Sequence, residues 1–181
     1  TLYPGSRLQE IKKHLPILVQ AVVKLRSEDS SLQFILGASP QVNWSQWLLP
    51  DWIQVESEYP QKALECADLA LVASGTSTLE AAVFGTPMIV IYKMATISWW
   101  ISRVLVSVSF AGMVNIIAGK EIMPELIQKN ATPERVFSTA SSILKNPEKI
   151  EKMVADLKEV KVKLKGVGAS NKAATYILEL K

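Results

Sequence analysis

The chain contains a single cysteine and a single histidine among its 181 residues, and this scarcity excludes several classes of protein. One cysteine cannot build an internal disulfide framework, and Cys66 stands in the apolar helical stretch ALECADLA, which is typical of a small core residue in a reducing compartment. No His/Cys cluster offers zinc ligands, and no Asp-x-Asp provides the carboxylates of a metal–diphosphate clamp. We therefore expect no metal and no cofactor.

Other familiar binding signals are also missing. There is no Gly-x-Gly-x-x-Gly fingerprint for a dinucleotide and no Gly-x-x-x-x-Gly-Lys-[Ser/Thr] loop of an ATPase. The net charge of +3 is too small to suggest nucleic-acid binding, but it fits an anionic small ligand or weak attraction to an acidic membrane surface. His14 stands alone on the first predicted helix, so we interpret it as a half-buried helix residue rather than an acid–base group.

The sequence has no run long and apolar enough for a membrane span. Its most apolar region, 97–118, is interrupted by Arg103, several serines, Gly112 and Asn115. Trp99 and Trp100 could contact lipid, although burial in the core is the favoured interpretation. The chain shows no signal peptide and no initiating methionine, and it opens on residues typical of the end of a strand. We therefore expect a fragment of a longer protein.

What the sequence does contain is a regular alternation of strands and helices. Strands that are apolar throughout indicate burial on both faces, and alternation with helices predicts right-handed crossovers and a parallel sheet. The fold class predicted is therefore a doubly wound, Rossmann-like α/β domain. The predicted strands are 2–3, 32–36, 52–55, 69–73 and 88–92, and the predicted helices between them are 8–26, 60–67 and 78–84, with the first divided in two at Pro16.

The carboxyl-terminal part is predicted to be helical. Thr132 before Pro133 and Asn146 before Pro147 are typical of capped helix starts. The predicted helices are 98–106, 124–129, 133–145, 148–165 and 170–180. We place residues 1–145 in the Rossmann-like domain and 146–181 in carboxyl-terminal helices that could cross to another domain. The lysine-rich helix 148–165 is interpreted as a solvated face, with a basic strip facing phospholipid as the alternative.

Two loops carry atoms suited to a diphosphate. In Pro4-Gly5-Ser6-Arg7, glycine allows close backbone approach, serine offers a hydroxyl and arginine a forked cation. The segment Ser74-Gly75-Thr76-Ser77-Thr78 leads into a helix, so its N–H groups and the positive end of the helix dipole face a ligand. Because ligands of open parallel sheets bind beyond the carboxyl ends of the strands, we expect both loops at one site. The alternative is ordinary helix capping.

Glu80 is a lone carboxylate in an otherwise apolar helix, one turn after the second loop. A carboxylate would repel phosphates, but it can accept hydrogen bonds from ribose hydroxyls, as acidic residues do in other nucleotide folds. We therefore predict that Glu80 binds ribose. A surface glutamate without a ligand is the alternative.

These loops, in this order, resemble the donor-binding half of the GT-B glycosyltransferases, and in particular the lipid-A-disaccharide synthases. The segments that carry the resemblance are LYPGSRLQEIKKHLPIL at 2–18, ASGTSTLEAAVFGTPMIVIYKM at 73–94, NIIAGKEIMPELIQ at 115–128 and ASNKAATYILEL at 169–180. Together they span nearly the whole chain. One departure is Val114, where the family more often has proline before the asparagine.

The resemblance implies a specific reaction. Members join UDP-2,3-diacylglucosamine to 2,3-diacylglucosamine-1-phosphate (lipid X), releasing UDP, by an inverting reaction without a metal. The resemblance would place Gly5, Ser6 and Arg7, together with 74–77, at the diphosphate, with Glu80 at the ribose. It also suggests Asn115 as a donor-site residue near the domain cleft and Lys93 as a weaker candidate for the nucleotide pocket.

The resemblance also implies where the protein acts and what this chain lacks. The family works in the cytoplasm, peripherally on the inner face of the inner membrane. Its general base and lipid X pocket belong to the amino-terminal half, and we find no convincing base in this chain, which is therefore expected to bind UDP with little or no turnover. A homodimer remains open.

Three alternatives remain open for the function. They are an enzyme resembling UDP-N-acetylglucosamine 2-epimerase, a separate non-catalytic nucleotide-sugar-binding subunit, and an α/β module without a ligand. The apolar region 99–110 favours a lipid-linked substrate over the soluble substrate of the epimerase.

Overall fold

The computed structural model describes residues 1–93, 110–164 and 169–179, and in this part of the chain six strands form one parallel sheet. The strand order is β3-β2-β1-β4-β5-β6, which confirms the predicted doubly wound architecture. The strands are β1 (Leu2–Tyr3), β2 (Phe34–Gly37), β3 (Ile53–Glu56), β4 (Ala70–Ala73), β5 (Met88–Tyr92) and β6 (Glu125–Ile127).

Seven helices accompany the sheet in the described residues. They are α1 (Leu8–Glu28), α2 (Pro60–Glu65), α3 (Ser77–Phe84), α4 (Met113–Ala118), α5 (Pro133–Leu144), α6 (Pro147–Leu164) and α7 (Ala169–Glu179). Right-handed crossovers put α1 on one face of the sheet, where it packs against α5, and put α2, α3 and α4 on the other face. The sheet is therefore covered on both sides.

The centre of the sheet forms the core because β4 and the first four residues of β5 carry no polar side chain. All four residues of β4 are buried, as are the first four of β5, and the two strands pair in register from Ala70 with Met88 to Ala73 with Ile91. Such strands must be covered on both faces, since an exposed face of this composition would leave a large apolar area in water.

Helix α6 packs against α3, α4 and α5. Its contact face contributes Met153, Leu157 and Val160, all buried, while its charged residues face solvent. The helix therefore shares the core of residues 1–145. The boundary at 145/146 remains a prediction.

Pro16 does not divide the first helix, contrary to the prediction. Helix α1 runs without a break from Leu8 to Glu28. Proline removes one backbone hydrogen bond, to the carbonyl four residues earlier, but Pro16 and Lys12 both lie on the exposed side of α1, where water can satisfy that carbonyl. The opposite side contains Leu15 and Leu18, whose burial holds the helix together.

Two further predictions differ from the structure. Residues 124–129 were predicted to be helical, but they form strand β6 and a 3-10 turn at Gln128–Asn130, because β6 pairs with the edge of β5. Helix α4 was not predicted, since its six residues are too few to show a helical period. The predicted helix 98–106 lies outside the described residues.

Candidate functional site

The two predicted ligand loops begin at neighbouring strands. After β1 the chain moves towards β2 and β3, whereas after β4 it moves towards β5 and β6, so the order of the sheet reverses between β1 and β4. Tyr3 pairs with Val72, and both strands therefore end at the same place. A Cβ atom built on Gly5 would lie 3.6 Å from the Cβ atom of Ala73, so the first loop lies close to the end of β4, where the second loop begins. Ligands of open α/β sheets bind at such a reversal.

The first loop is shaped by Gly5. Its φ of 109° lies in a region that side chains rarely adopt, and an added Cβ would approach Glu10 Oε2 to 2.7 Å. Ser6 and Arg7 follow, both exposed. The guanidinium of Arg7 makes an ion pair of 3.1 Å with Glu10 Oε1, but its side chain remains 83% exposed. Arg7 is therefore held at the mouth of the loop and stays accessible to an anion.

The second loop is anchored by its flanking hydroxyls. Ser74 Oγ donates a 2.7 Å hydrogen bond to the carbonyl of Ala111, and buried Thr78 donates one of 2.8 Å to the carbonyl of Gly75. A Cβ built on Gly75 would meet no atom within 4 Å, so the loop faces open space at that point. Within the described residues, the backbone N–H groups of 75–77 make no hydrogen bond to protein.

The helices that follow these loops, α1 at Arg7 and α3 at Thr76, start without a side-chain cap, as do α2 at Tyr59 and α4 at Gly112. By contrast, Thr132 Oγ1 accepts from the N–H of Arg135, and Asn146 Oδ1 accepts from the N–H of Lys149, which confirms the two predicted caps. Two helices whose first N–H groups lack side-chain partners therefore start side by side at the sheet reversal, as anion-binding helices do.

Glu80 lies on the exposed side of α3, one turn beyond Thr76. It borders a groove of about 680 Å³ between α3, Gln61 of α2 and Leu164 of α6. The carboxylate interacts with the Tyr3 phenol at the end of β1. Burial, followed by the charge of Glu80 and its hydrogen bond, raises the pKa of Tyr3 to about 12. The structure thus places Glu80 next to both loops.

Lys93 follows β5 at the same edge of the sheet, and its side chain is exposed. Its backbone N–H donates to His14 Nε2 at 3.0 Å, and the other ring nitrogen, Nδ1, lies 3.1 Å from the carbonyl of Pro4. His14 therefore joins the first loop to the end of β5. It is only 1% exposed, so it is more deeply buried than predicted, and burial lowers its pKa.

Asn115, which the resemblance suggested as a donor-site residue near the domain cleft, lies in the interior of the protein. The residue is 0% exposed. Its Nδ2 donates to Met123 O and Glu125 Oε1, both at 2.8 Å, while its Oδ1 accepts from the N–H groups of Ile122 and Met123. An asparagine side chain can make four hydrogen bonds, and all four are used within the protein. Asn115 therefore shapes the turn before β6.

Glu125 is a functional candidate that the sequence did not reveal. Its carboxylate accepts hydrogen bonds from the N–H groups of Ala111 at 2.7 Å and Gly112 at 2.9 Å, as well as from Asn115. Since Ser74 donates to the carbonyl of Ala111, Glu125 fixes the segment to which the second loop is attached. Only its place in the stretch NIIAGKEIMPELIQ could have drawn attention to it.

Two negative findings apply to residues 1–93, 110–164 and 169–179. No group of three or more histidine, cysteine, aspartate or glutamate side chains there could hold a metal ion. No helix in those ranges is both long enough and apolar enough to cross a membrane.

Comparison with solved structures supports the fold. The glycotransferase of kitacinnamycin superposes on 98% of this chain and 42% of its own, with a TM-score of 0.59 and 21% identity. A candidate UDP-N-acetylglucosamine 2-epimerase from Listeria monocytogenes superposes on 95% of this chain and 45% of its own, with a TM-score of 0.57 and 15% identity. These likenesses establish a fold that this chain shares with part of GT-B glycosyltransferases, and they do not distinguish the two activities.

Comparison of sequences is more specific. The lipid-A-disaccharide synthase of Syntrophus aciditrophicus is 37% identical over 99% of this chain and 48% of its own length. The lipid-A-disaccharide synthase of Nitrosococcus oceani is 37% identical over 96% of this chain and 46% of its own. The chain thus spans about half the length of these curated relatives. The Lipid-A-disaccharide synthetase family model matches residues 1–179. The chain therefore belongs to the lipid-A-disaccharide synthase family.

Proposed function

We propose that this chain is the UDP-sugar-binding half of a lipid-A-disaccharide synthase. The complete enzyme would transfer 2,3-diacylglucosamine from UDP to 2,3-diacylglucosamine-1-phosphate and release UDP. The observation that carries the proposal is the pair of helix starts, at Arg7 and Thr76, that meet without side-chain caps at the reversal of the sheet. In a chain of this family, a nucleoside diphosphate is the anion that fits them best.

The diphosphate would lie between the two loops. Its oxygens would accept hydrogen bonds from the N–H groups of Gly75, Thr76 and Ser77, and the Ser6 hydroxyl is exposed beside them. Arg7 would leave its exposed ion pair with Glu10 and bind two phosphate oxygens, because a guanidinium offers paired donors in one plane. Gly5 allows this approach because it has no side chain.

The rest of the nucleotide would extend along α3. Glu80 lies one turn beyond the phosphate loop, so its carboxylate would accept hydrogen bonds from the ribose hydroxyls. Lys93, exposed after β5, is the remaining candidate for a polar contact with the donor. Asn115 and Glu125 would act indirectly, by holding the segment to which Ser74 is bonded.

The residues suggest how this half assists the reaction. Negative charge develops on the leaving UDP as the glycosidic bond breaks, and fixed donors that stabilise such charge are worth roughly 3–4 kcal/mol each when removed singly from comparable sites. Arg7 and the loop amides could supply this stabilisation without a metal. Inversion at the anomeric carbon also requires a base for the acceptor hydroxyl, and that base would come from the amino-terminal half.

The partners and location follow from the same proposal. The donor would bind this half, while lipid X would bind the other half. Because both substrates carry acyl chains, we propose peripheral contact with the inner face of the inner membrane, in the cytoplasm. Residues 99–109 of the apolar region 99–110, which favours a lipid-linked substrate, lie outside the described part of the chain.

Calorimetric titration with UDP, UMP and uridine tests the proposal. We expect UDP to bind most tightly, because only UDP fills both helix starts, and uridine to bind least. Chelation of divalent cations should leave the UDP affinity unchanged. If UDP did not bind at millimolar concentrations of the nucleotide, the proposal would be refuted. An α/β module that does not bind this ligand would then be favoured.

Two further measurements address the alternatives. Titration of UDP-N-acetylglucosamine against the diacylated donor separates the epimerase-like function from the synthase, since only the synthase should favour the acylated donor. The length of the natural reading frame separates the half-enzyme from a free-standing binding subunit, which would be encoded by these residues alone.

A further inference from the structure

His14 is a buried side chain that contacts two segments at the proposed site. It lies on the covered side of α1 and is only 1% exposed. Its Nδ1 lies 3.1 Å from the carbonyl oxygen of Pro4, and its Nε2 lies 3.0 Å from the backbone nitrogen of Lys93. The first contact reaches the first loop, and the second reaches the residue after β5. The imidazole ring therefore holds the loop in a fixed relation to the sheet.

The two contacts determine which ring nitrogen carries the hydrogen. The N–H of Lys93 can only donate, so Nε2 must accept with its lone pair. The carbonyl of Pro4 can only accept, so Nδ1 must carry the hydrogen. The neutral ring with its hydrogen on Nδ1 satisfies both contacts, and burial favours a neutral ring because it lowers the pKa of His14. The ring thus donates a hydrogen bond to the first loop.

This hydrogen bond fixes the peptide group between Pro4 and Gly5. The proline ring restricts φ of Pro4, so rotation about ψ decides where its carbonyl points. In a planar trans peptide, the N–H of the next residue points away from that carbonyl. Because His14 holds the carbonyl towards α1, the Gly5 N–H points to the opposite side. Within the part of the chain that the structure describes, this N–H makes no hydrogen bond to protein.

We propose that His14 is a positioning residue for the diphosphate, which holds the Pro4 carbonyl so that the Gly5 N–H donates to a phosphate oxygen. This inference rests on the proposed binding of a nucleoside diphosphate. It adds a backbone donor of the first loop to the N–H groups of 75–77 in the second loop. His14 itself does not contact the ligand, and it acts through the peptide group that it orients.

The physical basis is pre-organisation. A peptide group that is free to rotate loses conformational entropy when a ligand aligns it, and this loss weakens binding. When His14 has already fixed the Pro4–Gly5 peptide, the loss occurs on folding rather than on binding. A hydrogen bond to a charged phosphate is stronger than one between neutral groups, so the orientation of a single N–H has a measurable effect.

Two substitutions of His14 separate the contacts of its ring. In His14→Gln, the amide oxygen can take the place of Nε2 and accept from Lys93, but the donor to Pro4 is lost. In His14→Asn, the amide nitrogen can take the place of Nδ1 and donate to Pro4, but the acceptor for Lys93 is lost. Each variant therefore keeps one of the two hydrogen bonds.

Calorimetric titration with UDP and with inorganic pyrophosphate measures the effect. We expect the dissociation constant of UDP to rise about tenfold in His14→Gln, as for the loss of one hydrogen bond to a charged group. His14→Asn should retain most of the UDP affinity, because it keeps the bond that orients the Gly5 N–H. The affinity for pyrophosphate should follow the same order, since the diphosphate is the part of UDP that this N–H contacts.

Thr86→Val is the matched control for stability. The buried hydroxyl of Thr86 donates a 2.7 Å hydrogen bond to the carbonyl of Leu64, and the residue precedes β5 at the edge of the sheet opposite the site. Like His14→Gln, this variant removes one buried hydrogen bond to a carbonyl. It should therefore lower the free energy of unfolding and leave the UDP affinity unchanged.

The amide signal of Gly5 in a ¹H–¹⁵N spectrum gives a direct readout of the proposed contact. Saturating pyrophosphate should shift this signal in the unaltered chain and in His14→Asn, because the N–H then donates to a phosphate oxygen. The shift should be much smaller in His14→Gln. A merely structural role of His14 would not separate the two variants in this way.

The outcomes distinguish this inference from the function on which it rests. If the unaltered chain binds neither UDP nor pyrophosphate, both the proposed function and this inference fail. If the chain binds UDP and His14→Gln binds it equally well, only this inference is overturned. Equal losses of affinity in His14→Gln and His14→Asn would also overturn it, because the bond to Pro4 would not be the deciding contact. A similar loss in Thr86→Val would attribute the effect to general destabilisation and overturn it as well.

Discussion

Arg7 combines two properties that are seldom found together in a structural residue. It lies at the start of a helix, where a cation is unfavourable because the helix dipole is positive there, and it is nearly fully exposed. Its ion pair with Glu10 is on the surface, where such pairs contribute little to stability. An arginine at that position is better explained by an anionic ligand than by folding.

The first prediction concerns Arg7. Replacement by alanine should weaken UDP binding about ten- to a hundredfold, because a hydrogen bond to a charged group is worth about 1.5–3 kcal/mol. Arg7→Lys should recover part of the loss, since lysine keeps the charge but not the paired donors. The measurement is calorimetric titration with UDP. The control is Arg135→Ala, which removes an exposed arginine side chain from α5.

Unchanged UDP affinity in Arg7→Ala would exclude Arg7 from the site. Arg7→Ala could instead lower the free energy of unfolding of the ligand-free chain by as much as it lowers the free energy of UDP binding. That result would attribute the effect to the lost ion pair with Glu10.

The second prediction concerns His14. Burial lowers its pKa below the ordinary value of 6.5, so the unfolded chain takes up the proton first as the pH falls. The stabilisation is complete above pH 6.5 and is lost as the pH falls below it towards the pKa of the folded state. We expect urea unfolding to show a lower free energy of unfolding at about pH 5 than at about pH 7.5.

The control for His14 is His14→Gln, which carries no titrating group. This variant should be less stable overall, because the hydrogen bonds with Pro4 and Lys93 are altered, and its stability should vary less with pH. The amino group of Thr1, whose pKa burial lowers to about 6, titrates in a similar range in both proteins and cancels in the comparison. If the free energy of unfolding varied equally with pH in the unaltered chain and in His14→Gln, the pH dependence would not arise from His14.

At the scale of elements, the site depends on a loop that the sequence did not predict. Helix α4 and the turn that follows it are held by Asn115 and Glu125, and their hydrogen bonds reach Ser74 through Ala111. Local sequence cannot show such contacts, because Glu125 lies on β6 whereas Ser74 follows β4. The second loop is thus supported from a distant part of the chain.

The third prediction follows from this arrangement. Asn115→Ala should lower the free energy of unfolding by roughly 3 kcal/mol, since it leaves several buried backbone groups without partners. The control is Asn130→Ala, because the Asn130 side chain makes no hydrogen bond within the described residues. Chemical denaturation measures both. Normal stability combined with abolished UDP binding would show instead that Asn115 contacts the ligand directly.

Helix α1 leads to the fourth prediction. Pro16 is exposed within an unbroken helix, where proline costs up to about 3 kcal/mol relative to alanine. Pro16→Ala should therefore raise the free energy of unfolding, by at least about 1 kcal/mol. Gln20→Ala, four residues further along the exposed side, is the control and should change stability by a few tenths of a kcal/mol. Destabilisation by Pro16→Ala would show that proline sets the shape of α1.

At the scale of the whole molecule, the chain corresponds to about half the length of its curated relatives. The fifth prediction is that this chain binds UDP but produces little or no disaccharide from the two lipid substrates, because a general base and an acceptor pocket are expected in the other half. A radiolabelled turnover assay measures the product. If this chain alone produced disaccharide at the rate of a complete synthase, the proposal that the general base and the acceptor pocket lie in the other half would be refuted.

The fold was predictable because its signals are local. The apolar runs in β4 and β5 indicate a parallel sheet covered on both faces. The caps at Thr132 and Asn146 were predictable because a hydroxyl or an amide side chain precedes proline at each position. The positions of the two loops at neighbouring strand ends were also predictable, since each loop follows a strand in a parallel sheet; their role in binding a ligand stays a prediction. Strand β6 was missed because only its pairing with β5, and not its three residues, defines it.

The sequence by itself determined the alternation of strands and helices, the family, and the two loops whose atoms suit a diphosphate. Only the tertiary structure decided which polar residues are free to bind a ligand. Asn115 and Arg7 both lie in segments that resemble the family, yet one is buried with all its hydrogen bonds used and the other is exposed. The reason is physical: chemical type is fixed by sequence, whereas availability depends on contacts between residues far apart in the chain.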